Sequence, residues 1–183
     1  MQKKILLTSF HTWLSDQQSN SSDDLLLELA KMASVTHDLH FLHRLPVDVA
    51  LASSQVIAKI NQLEPDYIIC CGMAASRQQL SVEVIASILS GESTDKELID
   101  QPEIFLQTTV DIKQLVAGTS AVEISYDCGK FVCNGLYYSV LDYLRQSQSS
   151  TPAIFIHVPI LHPENLIGMI ADFVLMINNL ALL

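Results

Sequence analysis

The chain is poor in positive charge. Lys and Arg together number 10 against 20 Asp and Glu, for a formal net charge of −10. The acids are scattered rather than blocked, and such a surface repels phosphate, which excludes nucleic acid as a partner. The sequence also lacks G-x-G-x-x-G, a Walker loop, HExxH and CxxC. Those absences remove the common dinucleotide, phosphate-loop, zinc-protease and dithiol readings. No cofactor and no metal are therefore expected. There are no internal repeats, no low-complexity tract and no sign of a second domain. With 183 residues, the chain reads as one domain spanning 1–183.

An export signal is missing as well. Met1-Gln-Lys-Lys carries the right charge, but Ile5-Leu6-Leu7 is too short an apolar run and no small-residue cleavage site follows. A cytoplasmic location is the expectation, with Cys70, Cys71, Cys128 and Cys133 as thiols rather than bridges. The apolar stretch from Asn165 to Leu183 contains Asp172, Asn178 and Asn179, which are costly in lipid. Leu166, Ile170, Phe173, Val174 and Ile177 fall at helical spacing, so a packed C-terminal helix is expected rather than a membrane anchor. The chain is 49% hydrophobic and only 16% charged. That composition suggests a deep core or a buried subunit surface, and self-association as a homo-oligomer is the further expectation.

What is present alternates. Apolar runs at 3–9, 39–45, 67–71, 122–126 and 153–158 read as strands. Between them lie segments of helical period, one opening at Ser21 or Ser22, one at Pro46 and one carrying Cys133. Residues 79–89 form a further apolar segment, and Gly91 to Gln101 is a polar loop. Strands alternating with helices call for a mainly parallel sheet covered on both faces. Ligands in such sheets sit at the carboxyl ends of strands. Phe10, Gly72, Asp127 and His157 all fall at or just past predicted strand ends.

Two segments carry candidate chemistry. Tyr126-Asp-Cys-Gly-Lys-Phe-Val-Cys133-Asn134 runs from a strand into a helix. At a helix start, unpaired N–H groups and the dipole favour a thiolate and lower a thiol's pKa. Ala153-Ile-Phe-Ile-His157-Val-Pro159 places an imidazole rigidly at a strand end, as a general base requires. Taken alone, each has a plainer reading, since free thiols are most often core residues. A third group must orient the imidazole. Glu83, amid the apolar Leu80-Ser-Val-Glu-Val-Ile-Ala86, is the choice; the alternative is a solvent-facing acid on an alternating strand. His37, His40 and His43 read as surface residues rather than metal ligands.

Together these segments resemble the pyrrolidone carboxyl peptidases, also called pyroglutamyl peptidase I. Lys4-Ile-Leu-Leu-Thr-Ser-Phe10 is similar to the family's opening strand, and Arg44-Leu-Pro-Val47 to its second strand end. Pro65-Asp66, then Gly72-Met-Ala-Ala-Ser-Arg77 and Ser81-Val-Glu83, match its Pro-Asp, Gly…Arg and Glu spacing. Cys128-Gly129 through Cys133-Asn134 matches the nucleophile motif, and Phe155-Ile-His157-Val-Pro159 the histidine motif. The resemblance implies a three-layer α/β/α sandwich, phosphorylase/hydrolase-like, with a mainly parallel mixed sheet. It implies an omega peptidase that removes N-terminal pyroglutamate from small peptides or N-terminally blocked amides. Cys133 would be the nucleophile, His157 the base and Glu83 the orienting acid. Phe10 and Trp13 would wall the lactam, with Met73, Phe131 and Val132 lining the same pocket. Against the pattern, Ser9-Phe-His-Thr-Trp-Leu-Ser15 lacks the family's glycines and proline, Met73 replaces a polar residue, and Ser93 stands where an arginine is usual. A ligand-binding relative without hydrolysis is the alternative these differences suggest.

Overall fold

The computed structural model describes residues 2–14, 16–32, 35–89 and 103–182. The expected loop from Gly91 to Gln101, with Ser93, lies outside them. In chain order the elements are β1 (Lys4–Phe10), α1 (Ser21–Ala30), β2 (Asp38–Leu45), α2 (Val49–Leu63), β3 (Tyr67–Met73), β4 (Leu80–Glu83) and β5 (Ile85–Leu89). They continue with β6 (Glu103–Gln107), α3 (Ile112–Leu115), β7 (Val122–Ser125), α4 (Val132–Gln146), β8 (Ala153–Val158) and α5 (Pro163–Leu180).

Six strands form one sheet in the order β2-β1-β3-β8-β4-β7. β2, β1, β3 and β8 are mutually parallel; β4 pairs antiparallel with β8 and parallel with β7. The sheet is thus mixed but mainly parallel. β5 and β6 pair antiparallel in a separate two-stranded ribbon.

Alternation along the strands divides the core. Ile5 and Leu7 of β1, Ile69 and Cys71 of β3, and Ile154 and Ile156 of β8 point to one face, under Leu25, Leu26 and Leu29 of α1 and Phe173, Met176 and Ile177 of α5. Leu6, Ile68, Cys70 and Phe155 point to the other, under Ala52 and Val56 of α2 and Leu136, Tyr137 and Val140 of α4. A residue period of two is what sends neighbours to opposite faces. Each such side chain, fully buried, contributes roughly 1.5–3 kcal/mol. The C-terminal helix packs on the sheet through its apolar stripe, as its spacing predicts. Among the described residues, no helix is long and apolar enough to cross a membrane.

Several ends differ from expectation for local reasons. Asn20, not Ser21 or Ser22, caps α1, its side chain accepting from the Ser22 N–H. Asp48, not Pro46, caps α2, accepting from the Leu51 N–H at 2.8 Å. In each case a side-chain oxygen that reaches an open N–H of the first turn sets the start: Asn20 one residue before Ser21, Asp48 two residues after Pro46. The apolar segment 79–89 forms two strands, β4 and β5, separated at Val84.

Candidate active site

The register places three positions on one face of three adjacent strands. Gly72 on β3 pairs with His157 on β8, and His157 pairs in turn with Ser81 on β4. Glu83 lies two residues further along β4, opposite Phe155. Gly72, His157 and Glu83 share the face of Cys70 and Phe155, the one covered by α4. Adjacent strands lie about 4.8 Å apart, so side chains from these positions meet.

They do so in order. His157 Nδ1 is 2.7 Å from Glu83 Oε1. A carboxylate only accepts, so Nδ1 carries the proton and Nε2 faces away from Glu83. Glu83 is 0% exposed, against the solvent-facing alternative. Its second oxygen, Oε2, is buried and has no hydrogen-bond partner among the described residues. The Arg77 guanidinium stands 3.8 Å from Oε1. The same side chain binds Glu123 at 2.7 Å, Ser125 Oγ at 3.2 Å and the Asp127 carbonyl at 3.3 Å. Arg77 thereby ties the loop before α4 to the carboxylate. β4 runs against β8, so Glu83, the last residue of β4, reaches the site from the opposite direction to the parallel strands.

On the other side of the imidazole, over β3, sits the Cys133 thiol. A Cβ placed on Gly72 would lie 2.6 Å from Cys133 Sγ and 2.8 Å from Phe155 Cζ. The glycine is the gap that admits the thiol. Cys133 occupies the first turn of α4, whose Ncap, Phe131, makes no side-chain cap bond. The first N–H groups of that helix are therefore open to a ligand. Asn134 fixes the turn from behind: its Oδ1 accepts from the Ser87 N–H at 2.9 Å and its Nδ2 donates to the Ser87 carbonyl at 2.6 Å. Tyr137, one turn on, donates to the Glu83 carbonyl at 3.0 Å.

One expectation is overturned. The helix start does not yield a low-pKa thiol. Burial pushes Cys133 up to about 12, the nearby Glu83 charge adds to this, and the pull of the Cys133 N–H is outweighed. No hydrogen bond joins the thiol to His157 among the described residues. The resting thiol is neutral.

Residue types alone did not separate Cys128 from the core. Its Sγ, one oxygen of Glu83 and one ring nitrogen of His157 all lie within 4.8 Å of one another, and all three residues are buried. Of the expected pocket residues, Phe10 is buried in the core and lines a cavity of about 150 Å³ with Thr12, Asn20 and Arg44. Trp13 is 50% exposed and Phe131 83% exposed, while Val132 packs against the α4 core. Met73 Sδ accepts from Gln17 Nε2 at 3.5 Å, which joins the loop after β1 to the end of β3.

The histidine reading needs one correction. His43 is half-buried, and its Nδ1 is 2.7 Å from Asp23 Oδ1. Asp23 also accepts from Ser9 Oγ at 2.7 Å and Arg44 Nε at 2.9 Å. Its burial alone would raise the carboxyl's pKa, but the hydrogen bonds from Arg44, Ser9 and His43 outweigh burial and hold it below the ordinary value.

A thiol, an imidazole and a carboxylate aligned across a three-layer α/β/α sandwich define a site of the cysteine-hydrolase class. Residues 3–177 match the pyroglutamyl peptidase family, and the chain belongs to it. It is similar to the pyrrolidone-carboxylate peptidase of Erwinia tasmaniensis, at 29% identity over 91% of this chain and 82% of that one. The corresponding figures for the enzyme of Brevibacillus brevis are 28%, 88% and 80%. The fold matches the crystal structure of Bacillus amyloliquefaciens pyroglutamyl peptidase I with a TM-score of 0.82 at 23% identity, covering 100% of this chain and 98% of that one.

Proposed function

We propose that the protein is a cysteine omega peptidase that removes N-terminal pyroglutamate, with Cys133 as nucleophile, His157 as acid–base and Glu83 as the orienting carboxylate. The alignment of Cys133, His157 and Glu83 over β3, β8 and β4 is the observation that carries this reading. The Nδ1–H bond to Glu83 leaves Nε2 free to accept a proton. Because the resting thiol is neutral, the proton passes to Nε2 as sulfur attacks the pyroglutamyl carbonyl. A thiol kept neutral by burial calls for a general base rather than a preformed ion pair. The open N–H groups of the first α4 turn hold the oxyanion. Collapse expels the peptide amine, which takes the proton back from His157, and leaves a thioester. Water, deprotonated by His157, then releases pyroglutamate and the free thiol. Each proton that enters the imidazole leaves in the same cycle. Neither a metal nor an organic cofactor takes part in any of these steps.

Recognition of the lactam by Phe10, Trp13, Met73, Phe131 and Val132 belongs to the same proposal. Hydrolysis of a fluorogenic pyroglutamyl amide under reducing conditions tests it, with Cys133→Ala as control. Turnover lost in that variant supports the assignment. The proximity of Cys128 to Glu83 and His157 favours a second assignment. Turnover that survived Cys133→Ala and vanished in Cys128→Ala would give the nucleophile to Cys128. A well-folded protein without turnover would favour a ligand-binding relative.

A further inference from the structure

We propose that Cys128, Glu83 and His157 form a binding site for a divalent transition-metal cation of the zinc type, separate from the Cys133 thiol. Their donor atoms, a sulfur, a carboxylate oxygen and a ring nitrogen, lie within 4.8 Å of one another. Tetrahedral zinc, with bonds of about 2.0–2.3 Å, needs its donors roughly 3.3–3.8 Å apart. The sulfur therefore closes in by up to about 1 Å, while the imidazole nitrogen and the carboxylate, now 2.7 Å apart, open by roughly 0.6 Å or more. The donor types, one soft thiolate, one imidazole and one carboxylate, suit zinc or cobalt and not magnesium or calcium.

Two further observations point to a ligand. Glu83 Oε2 is fully enclosed and has no partner among the described residues, an arrangement that buried carboxylates avoid. Cys128 is itself buried, though it sits in a loop whose other members, Tyr126, Asp127 and Lys130, are exposed. Gly129 in that loop has φ +77 with no atom within 4 Å of where a Cβ would stand. The loop thus turns its one sulfur inward.

The charge balance favours the site. A doubly charged cation against one thiolate and one carboxylate gives a neutral unit, which a dry environment tolerates. Arg77 opposes binding from 3.8 Å, but Glu123 at 2.7 Å offsets its charge. On binding, the Cys128 thiol loses one proton to solvent as the metal–sulfur bond forms. The Nδ1 proton of His157 moves to Nε2 as the metal takes Nδ1, and the hydrogen bond to Glu83 breaks. The occupied site therefore disconnects the imidazole from its orienting acid.

The test is titration of the full chain with Co²⁺ in a non-thiol reductant, read by sulfur-to-cobalt charge-transfer absorption in the near ultraviolet. This readout needs no turnover, so it stands or falls apart from the peptidase reading. The expected result is one equivalent of Co²⁺ displaced by Zn²⁺, a band retained in Cys133→Ser, and affinity reduced more than ~100-fold in Cys128→Ser and Glu83→Gln. That exceeds the ~10–100-fold typical of losing a residue behind a ligand. Thermal unfolding checks that each variant is folded; if Cys128→Ser is not, Glu83→Gln decides. Absence of the band in the wild-type chain overturns the proposal. So does a band lost in Cys133→Ser, or full affinity in a folded Glu83→Gln.

Discussion

Gly72→Ala adds one methyl group at the centre of the site. The new carbon would stand 2.6 Å from Cys133 Sγ, 2.8 Å from Phe155 Cζ and 3.2 Å from Phe155 Cε1. Ordinary contact needs 3.4 Å or more, so the sulfur must retreat by about 1 Å. Phe155 is fully enclosed and offers no relief. A misplacement of ~1 Å at reacting atoms costs on the order of 10²-fold in rate. Overpacking of this kind costs about 1–3 kcal/mol in stability. For a chain of this length that corresponds to roughly 2–12 °C in Tm. The expected outcome is a folded protein, a little less stable, whose kcat/KM on a pyroglutamyl amide falls about a hundredfold. Gly168→Ala, in the middle of α5 with no atom within 4 Å of the added carbon, is the matched control. It should keep full activity and gain about 0.5–1 kcal/mol from helix propensity. Wild-type kcat/KM in Gly72→Ala would refute the placement of the Cys133 thiol against β3, and with it the ordered alignment.

Three more outcomes are expected. Glu83→Gln should lower kcat by ~10²-fold or more while the fold persists, because the amide no longer fixes the Nδ1–H tautomer; an unchanged kcat would remove Glu83 from the mechanism. Alkylation of Cys133 by iodoacetamide should rise with pH without a plateau below pH 9, since burial pushes the thiol up to about 12; a plateau near neutrality would indicate a preformed thiolate. Asp23→Asn should destabilise the fold by about 2–3 kcal/mol, the scale of hydrogen bonds to a charged group. Because the folded Asp23 pKa lies below the ordinary 3.8, its contribution is present at neutral pH. It fades as pH falls from 3.8 through the depressed value, so wild type and Asp23→Asn should converge in Tm there.

The sequence was most informative where local chemistry and register agree. The imidazole at the end of an apolar strand and the thiol in a helix start both stand where spacing places them. So does Glu83, although only the structure distinguishes a fully enclosed carboxylate from one on a solvent-facing edge. The remainder depended on distant partners. The low pKa expected of Cys133 failed because a helix start is a local effect, whereas burial and the Glu83 charge are tertiary. Asp23 and His43 are 20 residues apart and exchange a hydrogen bond that no periodicity announces. The position of Cys128 beside Glu83 likewise follows from how the 126–131 loop folds back, and a loop's path leaves no periodic trace.

The Asn134 clamp on Ser87 has a mechanical meaning. The imidazole and carboxylate stand on the six-stranded sheet, whereas the first turn of α4 is pinned by two hydrogen bonds to the separate β5–β6 ribbon. The Cys133 thiol and the His157 imidazole are thus held by different elements. Their gap is held from two sides, by the ribbon through Asn134 and by the sheet through Tyr137, so a shift of the ribbon would tilt the first turn of α4 about its anchor on β4.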